Sequence, residues 1–147
     1  MQSNTETALE RIRSDLALFD DWEDRYRYII ELGRGLGTFP EELRTEANKV
    51  RGCASQVWLV TNMQKPDPSG QPVFDLLGDS DAHIVRGLVA LVLALYSGRP
   101  AQEIVDTDAA PLFRELGFAE HLTPQRANGL RSMVERIKKE ARGALAA

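Results

Sequence analysis

Apolar residues recur along the chain at two different periods, and the changes of period mark out its elements. Leu9, Ile12, Leu16 and Phe19 are spaced three, four and three apart, which puts them on one face of a helix. Asp20-Asp21 interrupts that pattern. A second helix follows with Trp22, Tyr26, Ile29 and Ile30 on its apolar face, and Glu23 and Asp24 in its first turn complement the helix dipole. Gly33, Gly35 and Gly37 then release the chain into a loop running through Pro40.

The period changes beyond residue 48. Val57-Trp58-Leu59-Val60-Thr61 is rich in β-branched and aromatic residues and reads as a largely buried strand. Lys49-Val50-Arg51 is expected to add a short strand ahead of it. Lys65 to Gly70 is a turn cluster and Pro72 to Leu77 a second strand, which together predict a hairpin. Gly78-Asp-Ser-Asp81 is expected to end the sheet, with Ser80 or Asp81 capping the next helix.

From Ile84 to Tyr96 the chain is apolar nearly all round, which predicts a central buried helix. Gly87 inside it costs about 1 kcal/mol relative to Ala, and is read as a place where two backbones approach closely. Gly98-Arg-Pro100 stops the helix, and a short amphipathic piece follows around Leu112, Phe113 and Leu116. Thr123 then caps a last helix, with Pro124 at its first position and Leu130, Val134, Ile137 and Ala141 facing inward. Repeats, low-complexity tracts and linkers are lacking. The expectation is one α+β domain over residues 1–147, a small antiparallel three-stranded sheet packed with helices.

Composition adds little to this picture except by exclusion. With 147 residues, 43% apolar and 27% charged, the chain matches an ordinary soluble domain. The polar, acidic start lacks the layout of a signal peptide, and the longest apolar stretch, Leu88 to Tyr96, is too short to span a bilayer. A cytoplasmic protein without a membrane partner is expected. The net charge of −4 is uneven, because from Thr123 onward six basic residues face two acidic ones. Without aromatic interleaving this basic helix reads as a solvated face, and nucleic acid is not an expected partner.

Cysteine usage narrows the chemistry. One Cys excludes an internal disulfide, and two His leave no standard zinc set, so no metal is expected. Cys53 lies in Asn48-Lys-Val-Arg-Gly-Cys-Ala-Ser-Gln-Val-Trp-Leu59, where small neighbours would let another protein's sulfur come close. Gly52 gives the backbone unusual freedom. Lys49 and Arg51, on the same side as Cys53 in an extended chain, would favour the attacking thiolate. The residues alone leave two readings open, a buried inert thiol or a reactive one.

Other chemistries find less support. A cysteine hydrolase needs a base, and His83 and His121 read as surface or packing residues. Asp75, Asp79 and Asp81 lack the ligand spacing of a calcium loop, and helix capping accounts for them. Gly33-Arg-Gly35-Leu-Gly37 follows a helix rather than a strand, which argues against a phosphate loop.

Four blocks, in order, resemble the SufE family of sulfur-acceptor proteins and its close relative CsdE. They are Trp22-Glu-Asp-Arg-Tyr26 leading into Tyr28-Ile-Ile-Glu-Leu-Gly33; Asn48 to Trp58; Gly78-Asp-Ser-Asp-Ala82 with Ile84-Val-Arg-Gly-Leu88; and His121-Leu-Thr-Pro-Gln-Arg126 with Asn128-Gly-Leu130. The resemblance spans Trp22 to about Ile137. It implies the fold shared with the IscU scaffold, and a carrier that takes persulfide sulfur on Cys53 from a SufS-type cysteine desulfurase and stimulates that enzyme. Delivery to iron–sulfur assembly, on a SufBCD-like scaffold complex, would follow.

Pyridoxal phosphate would belong to the desulfurase, so no cofactor is implied for this chain. With no further cysteine, the chain is not expected to build a cluster itself. The resemblance also implies a carrier and activator rather than a stand-alone enzyme, as monomer or weak homodimer. Arg51, Gly52, Ser55 and Gln56 would support the loop of Cys53. Arg126 would pair with a partner carboxylate, steady a thiolate or sit in a surface ion pair, and Asp81 would touch the partner or brace a helix. A redox-sensing thiol and an interaction module with an inert Cys53 remain the alternatives.

Overall fold

The structure is a computed structural model that describes residues 7–64, 68, 70 and 72–146. Helix α1 (Ala8–Ala17) begins with a capping box, in which the Thr7 hydroxyl accepts from Glu10 N at 3.0 Å and the Glu10 carboxylate accepts from Thr7 N at 2.9 Å. It buries Ile12 and Leu16, two of the four residues its spacing picks out. In α2 (Trp22–Arg34), Asp21 acts as the cap, accepting from Glu23 N at 3.1 Å, so one of the two aspartates that interrupt the pattern also starts the next helix.

Helix α3 (His83–Tyr96) is the central buried element, as its apolar run predicts. It packs extensively on α2, and the crossing depends on two glycines. A Cβ on Gly87 would stand 2.0 Å from the carbonyl oxygen of Ile29, and one on Gly33 would stand 2.7 Å from Gly87 N. Here the approach of two backbones is worth more than the helix propensity that Gly87 forgoes.

The sheet has three antiparallel strands in the order β1-β2-β3. Strand β1 (Val57–Gln64) pairs with β2 (Val73–Ser80) from Val57 opposite Ser80 to Gln64 opposite Val73, which is the expected hairpin. The expected turn between them falls largely on residues 65–67 and 69, outside the described residues. The third strand differs from expectation. It is β3 (Arg99–Pro100), paired with β2, whereas the Lys49 segment makes one bridge to Trp58 on the free edge of β1. Two backbone bonds hold it there, Val50 N to Val57 O at 2.8 Å and Leu59 N to Asn48 O at 2.9 Å.

Strand β2 also runs three residues past its expected end at Leu77. Gly78 faces the core, where a Cβ would meet Val89 and Leu59 at 2.7 and 2.8 Å. Asp79 is only 5% exposed and is held by two guanidiniums. Arg44 donates to it at 2.6 Å, and Arg86 Nε lies 2.7 Å from the other oxygen as a close ion pair without aligned hydrogen-bond geometry. Arg44 in turn covers the rings of Trp58 and Phe39 at 4.8 and 5.3 Å.

The expected cap of α3 is different as well. Ala82 occupies the cap position without a side-chain bond, Ser80 Oγ accepts from Ala82 N at 3.2 Å, and Asp81 points elsewhere. Short helices α4 (Ala101–Asp106), α5 (Ala110–Glu115) and α6 (Phe118–His121) follow β3. Helix α7 (Pro124–Ala146) starts at the Thr123 cap, whose hydroxyl accepts from Arg126 N at 3.2 Å, and all four residues expected to face inward are buried. No helix among the described residues is long and apolar enough to cross a membrane.

Candidate functional site

Between the Asn48–Val50 arm and β1 the chain reverses through residues 51–56, and Cys53 sits at the tip of that reversal. Gly52 makes the turn possible with φ +90°, where an L side chain is strained. A Cβ there would also stand 2.7 Å from the Ser132 hydroxyl of α7.

Cys53 is half-buried, and its thiol donates to the carbonyl of Gly129 at 3.7 Å. Beside it lies a cavity of about 20 Å³ walled by Val85, Leu88 and Met133, with Ser55, Gln125 and Arg126 also lining it. Burial pushes the thiol above its ordinary pKa of 9.0. This reverses the expectation drawn from Lys49 and Arg51. Lys49 lies 3.8 Å from Glu46, Arg51 is exposed, and both line a separate polar groove shared with Glu135, Arg136 and Lys139. Desolvation of the sulfur, rather than basic neighbours, sets its acidity.

The remaining expected residues divide into two groups. Asp81 and Gln56 form a reciprocal pair, in which Asp81 Oδ1 accepts from Gln56 N at 3.0 Å and Asp81 N donates to Gln56 O at 3.3 Å. Asp81 therefore braces the downstream arm of the Cys53 loop and does not cap α3. Arg126 reaches the cavity from α7, where it donates to the Tyr26 hydroxyl at 2.8 Å with its guanidinium 5.8 Å from that ring. Its partner is a phenol, and it links α7 to α2.

The histidines stand apart from the thiol. His83 opens α3 exposed, His121 stacks on Trp22 with ring centres 4.4 Å apart, and neither lines the cavity. The three aspartates are all engaged within the protein, Asp79 in ion pairs with Arg44 and Arg86, Asp81 with Gln56, and Asp75 by accepting from Ser97 Oγ at 3.3 Å. Among the described residues no group of three or more His, Cys, Asp and Glu is placed to hold a metal ion.

Sequence reasoning missed the face of α7 that carries the loop. Gly129 receives Cys53, Ser132 lies against Gly52, and Arg136 donates to the carbonyls of Ala47 and Lys49 at 2.8 and 3.1 Å. Their i, i+3, i+7 spacing was visible, but two small residues and an arginine on a helix give no sign of what they touch.

Comparison with known proteins shows the family and the fold. The family model described as SufE, Fe-S metabolism associated domain, matches residues 10–141. The chain belongs to the SufE family. It is 57% identical to an uncharacterized SufE-like protein of Rhizobium meliloti over 141 residues, 96% of this chain and 99% of the relative. A SufE-like protein of Rhizobium etli is 58% identical over 135 residues, 92% of this chain and 90% of that one. The solution structure of a hypothetical protein from Thermus thermophilus shares the fold, with a TM-score of 0.69 at 20% identity over 95% of this chain and 94% of the other. Membership of the SufE family puts the protein in iron–sulfur metabolism, with a cysteine desulfurase as the general class of partner.

Proposed function

We propose that Cys53 is a sulfur acceptor, loaded as a persulfide by a SufS-type cysteine desulfurase. The observation that carries this reading is the position of the thiol, alone at the tip of a braced hairpin loop beside a small, mainly apolar cavity. The Cys53 thiolate attacks the outer sulfur of the donor persulfide, a new sulfur–sulfur bond forms, the donor bond breaks, and the donor cysteine leaves as thiolate. The desulfurase keeps its pyridoxal phosphate, and this chain contributes the acceptor atom and stimulates turnover by clearing the donor. The sulfur then passes in the cytoplasm to a SufBCD-like scaffold complex. The carrier acts as a monomer or weak homodimer.

Burial accounts for the need for a partner. A half-buried thiol held above its ordinary pKa is a weaker nucleophile in the free protein, and on this reading docking turns the loop from Arg51 to Ser55 outward to expose it. The same burial argues against a peroxide sensor, which needs an exposed thiolate. Amide exchange across the loop is expected to rise when the desulfurase binds; unchanged exchange would rule out this gating.

The deciding test is intact mass after incubation with a SufS-type desulfurase and cysteine, wild type beside Cys53→Ser. A gain of one sulfur atom that is lost on reduction and absent in the variant is the expected result. No added mass with two desulfurases of proven activity would end the sulfur-acceptor reading.

A further inference from the structure

One cation of α7 has a place that the acceptor chemistry does not explain. Arg136 is partly buried, and its guanidinium makes three contacts at once. Nη2 donates to Ala47 O at 2.8 Å, Nη1 to Lys49 O at 3.1 Å, and Nε to Glu140 at 3.2 Å. The two carbonyls flank a residue that is bonded to the sheet. The carbonyl of Asn48, between them, accepts from Leu59 N of β1, while Ala47 lies in the turn that Lys49 N closes on Glu46 O at 3.2 Å, and Lys49 is the residue bridged to Trp58. Arg136 therefore ties both the turn and the bridging residue that lead into the Cys53 loop to α7.

The loop is thus held at both ends. Arg136 holds the upstream arm at Ala47 and Lys49, and Asp81 holds the downstream arm at Gln56. Between them, the thiol-to-Gly129 bond of 3.7 Å is a weak hold on the tip. An ordinary i,i+4 surface pair with Glu140 accounts for only one of the three contacts and is worth a few tenths of a kcal/mol. The planar fork of an arginine is what reaches two carbonyls together.

We propose that Arg136 is a positioning residue for sulfur acceptance, pinning the upstream arm to α7 so that Cys53 rests on Gly129 and any opening is confined to residues 51–55. This rests on reading Cys53 as the sulfur acceptor.

The test is iodoacetamide alkylation of the native thiol across pH, for wild type, Arg136→Met, Arg136→Lys and Asp81→Ala, with urea melts alongside. Met keeps the packed stem and removes the fork. Arg136→Met is expected to alkylate roughly tenfold faster, the loss of a charge-assisted bond, with a pH midpoint displaced downward toward that of a free thiol. Arg136→Lys, which reaches one carbonyl, should fall between. A rate and midpoint equal to wild type in Arg136→Met would overturn the proposal, and so would a faster rate that merely tracks global unfolding in the melts. If Arg136→Met does not fold, Arg136→Lys decides, because a wild-type profile there also overturns it. Alkylation needs no desulfurase, so the outcomes separate. Absence of sulfur uptake by wild type defeats the acceptor reading, whereas uptake with unaltered alkylation of the variants defeats only the role of Arg136.

Discussion

The Cys53 thiol reaches the backbone carbonyl of Gly129 across 3.7 Å because residue 129 has no side chain to keep it away. An added Cβ would stand 3.3 Å from the sulfur, tighter than an ordinary contact, and the neighbour able to give way is the loop. Two effects then oppose each other in Gly129→Ala. Helix α7 gains about 1 kcal/mol of propensity, while the thiol loses its seat. The expected outcome is a chain at least as stable in urea as wild type but with faster alkylation of Cys53. Slower or unchanged alkylation would show that the glycine is there for helix packing alone.

Burial of the thiol also links stability to pH. Folding raises the Cys53 pKa above its ordinary 9.0, so the folded state holds the proton more tightly than the unfolded state. That contribution is complete below the unfolded value and is lost as pH rises through the folded one. Tyr96, pushed up to about 12 by burial, acts with the same sign at higher pH. The clean measurement is therefore the difference between wild type and Cys53→Ser. Wild type is expected to lose more stability than the variant as pH rises past about 9, and parallel curves would contradict the buried thiol.

The crossing of α2 and α3 makes a sharper prediction. Gly87→Ala would put a methyl group 2.0 Å from the Ile29 carbonyl oxygen, a distance that no rotamer change relieves. A loss of about 3 kcal/mol or more is expected in urea melts, despite the better helix propensity of Ala, because two packed helices must separate. Gly143→Ala, with nothing within 4 Å of the added Cβ, is the control and should be neutral or stabilising.

Elements with a long local period were legible from residues alone. Ile12 and Leu16 of α1, the apolar run of α3, and Leu130, Val134, Ile137 and Ala141 of α7 all lie buried as their spacing requires. What escaped depends on distant partners. Arg99–Pro100 is too short to carry an alternation and is a strand only because β2 passes beside it. Gly78-Asp79-Ser80 looks like a strand end until Arg44 and Arg86 arrive to neutralise Asp79. At the site, the lone cysteine in its small-residue setting singled out Cys53 as a candidate, but the residues alone left an inert and a reactive thiol both open. Its acidity was misjudged because residues two and four positions away in sequence matter less to the sulfur than the wall of Val85, Leu88 and Met133.

Cys53 is the only cysteine in the chain, and on the proposed reading this would set the kinetic order in which a Cys53 persulfide unloads. A persulfide beside a second thiol decays by a first-order ring closure, at a rate that dilution leaves untouched. Here no such unimolecular thiol exchange exists. Any thiol that removed the sulfur would have to arrive from another molecule, so the lifetime of a loaded form would lengthen as the solution is diluted and shorten as acceptors accumulate. A single thiol would thus leave release to collision frequency, with the concentration of the next acceptor as the clock.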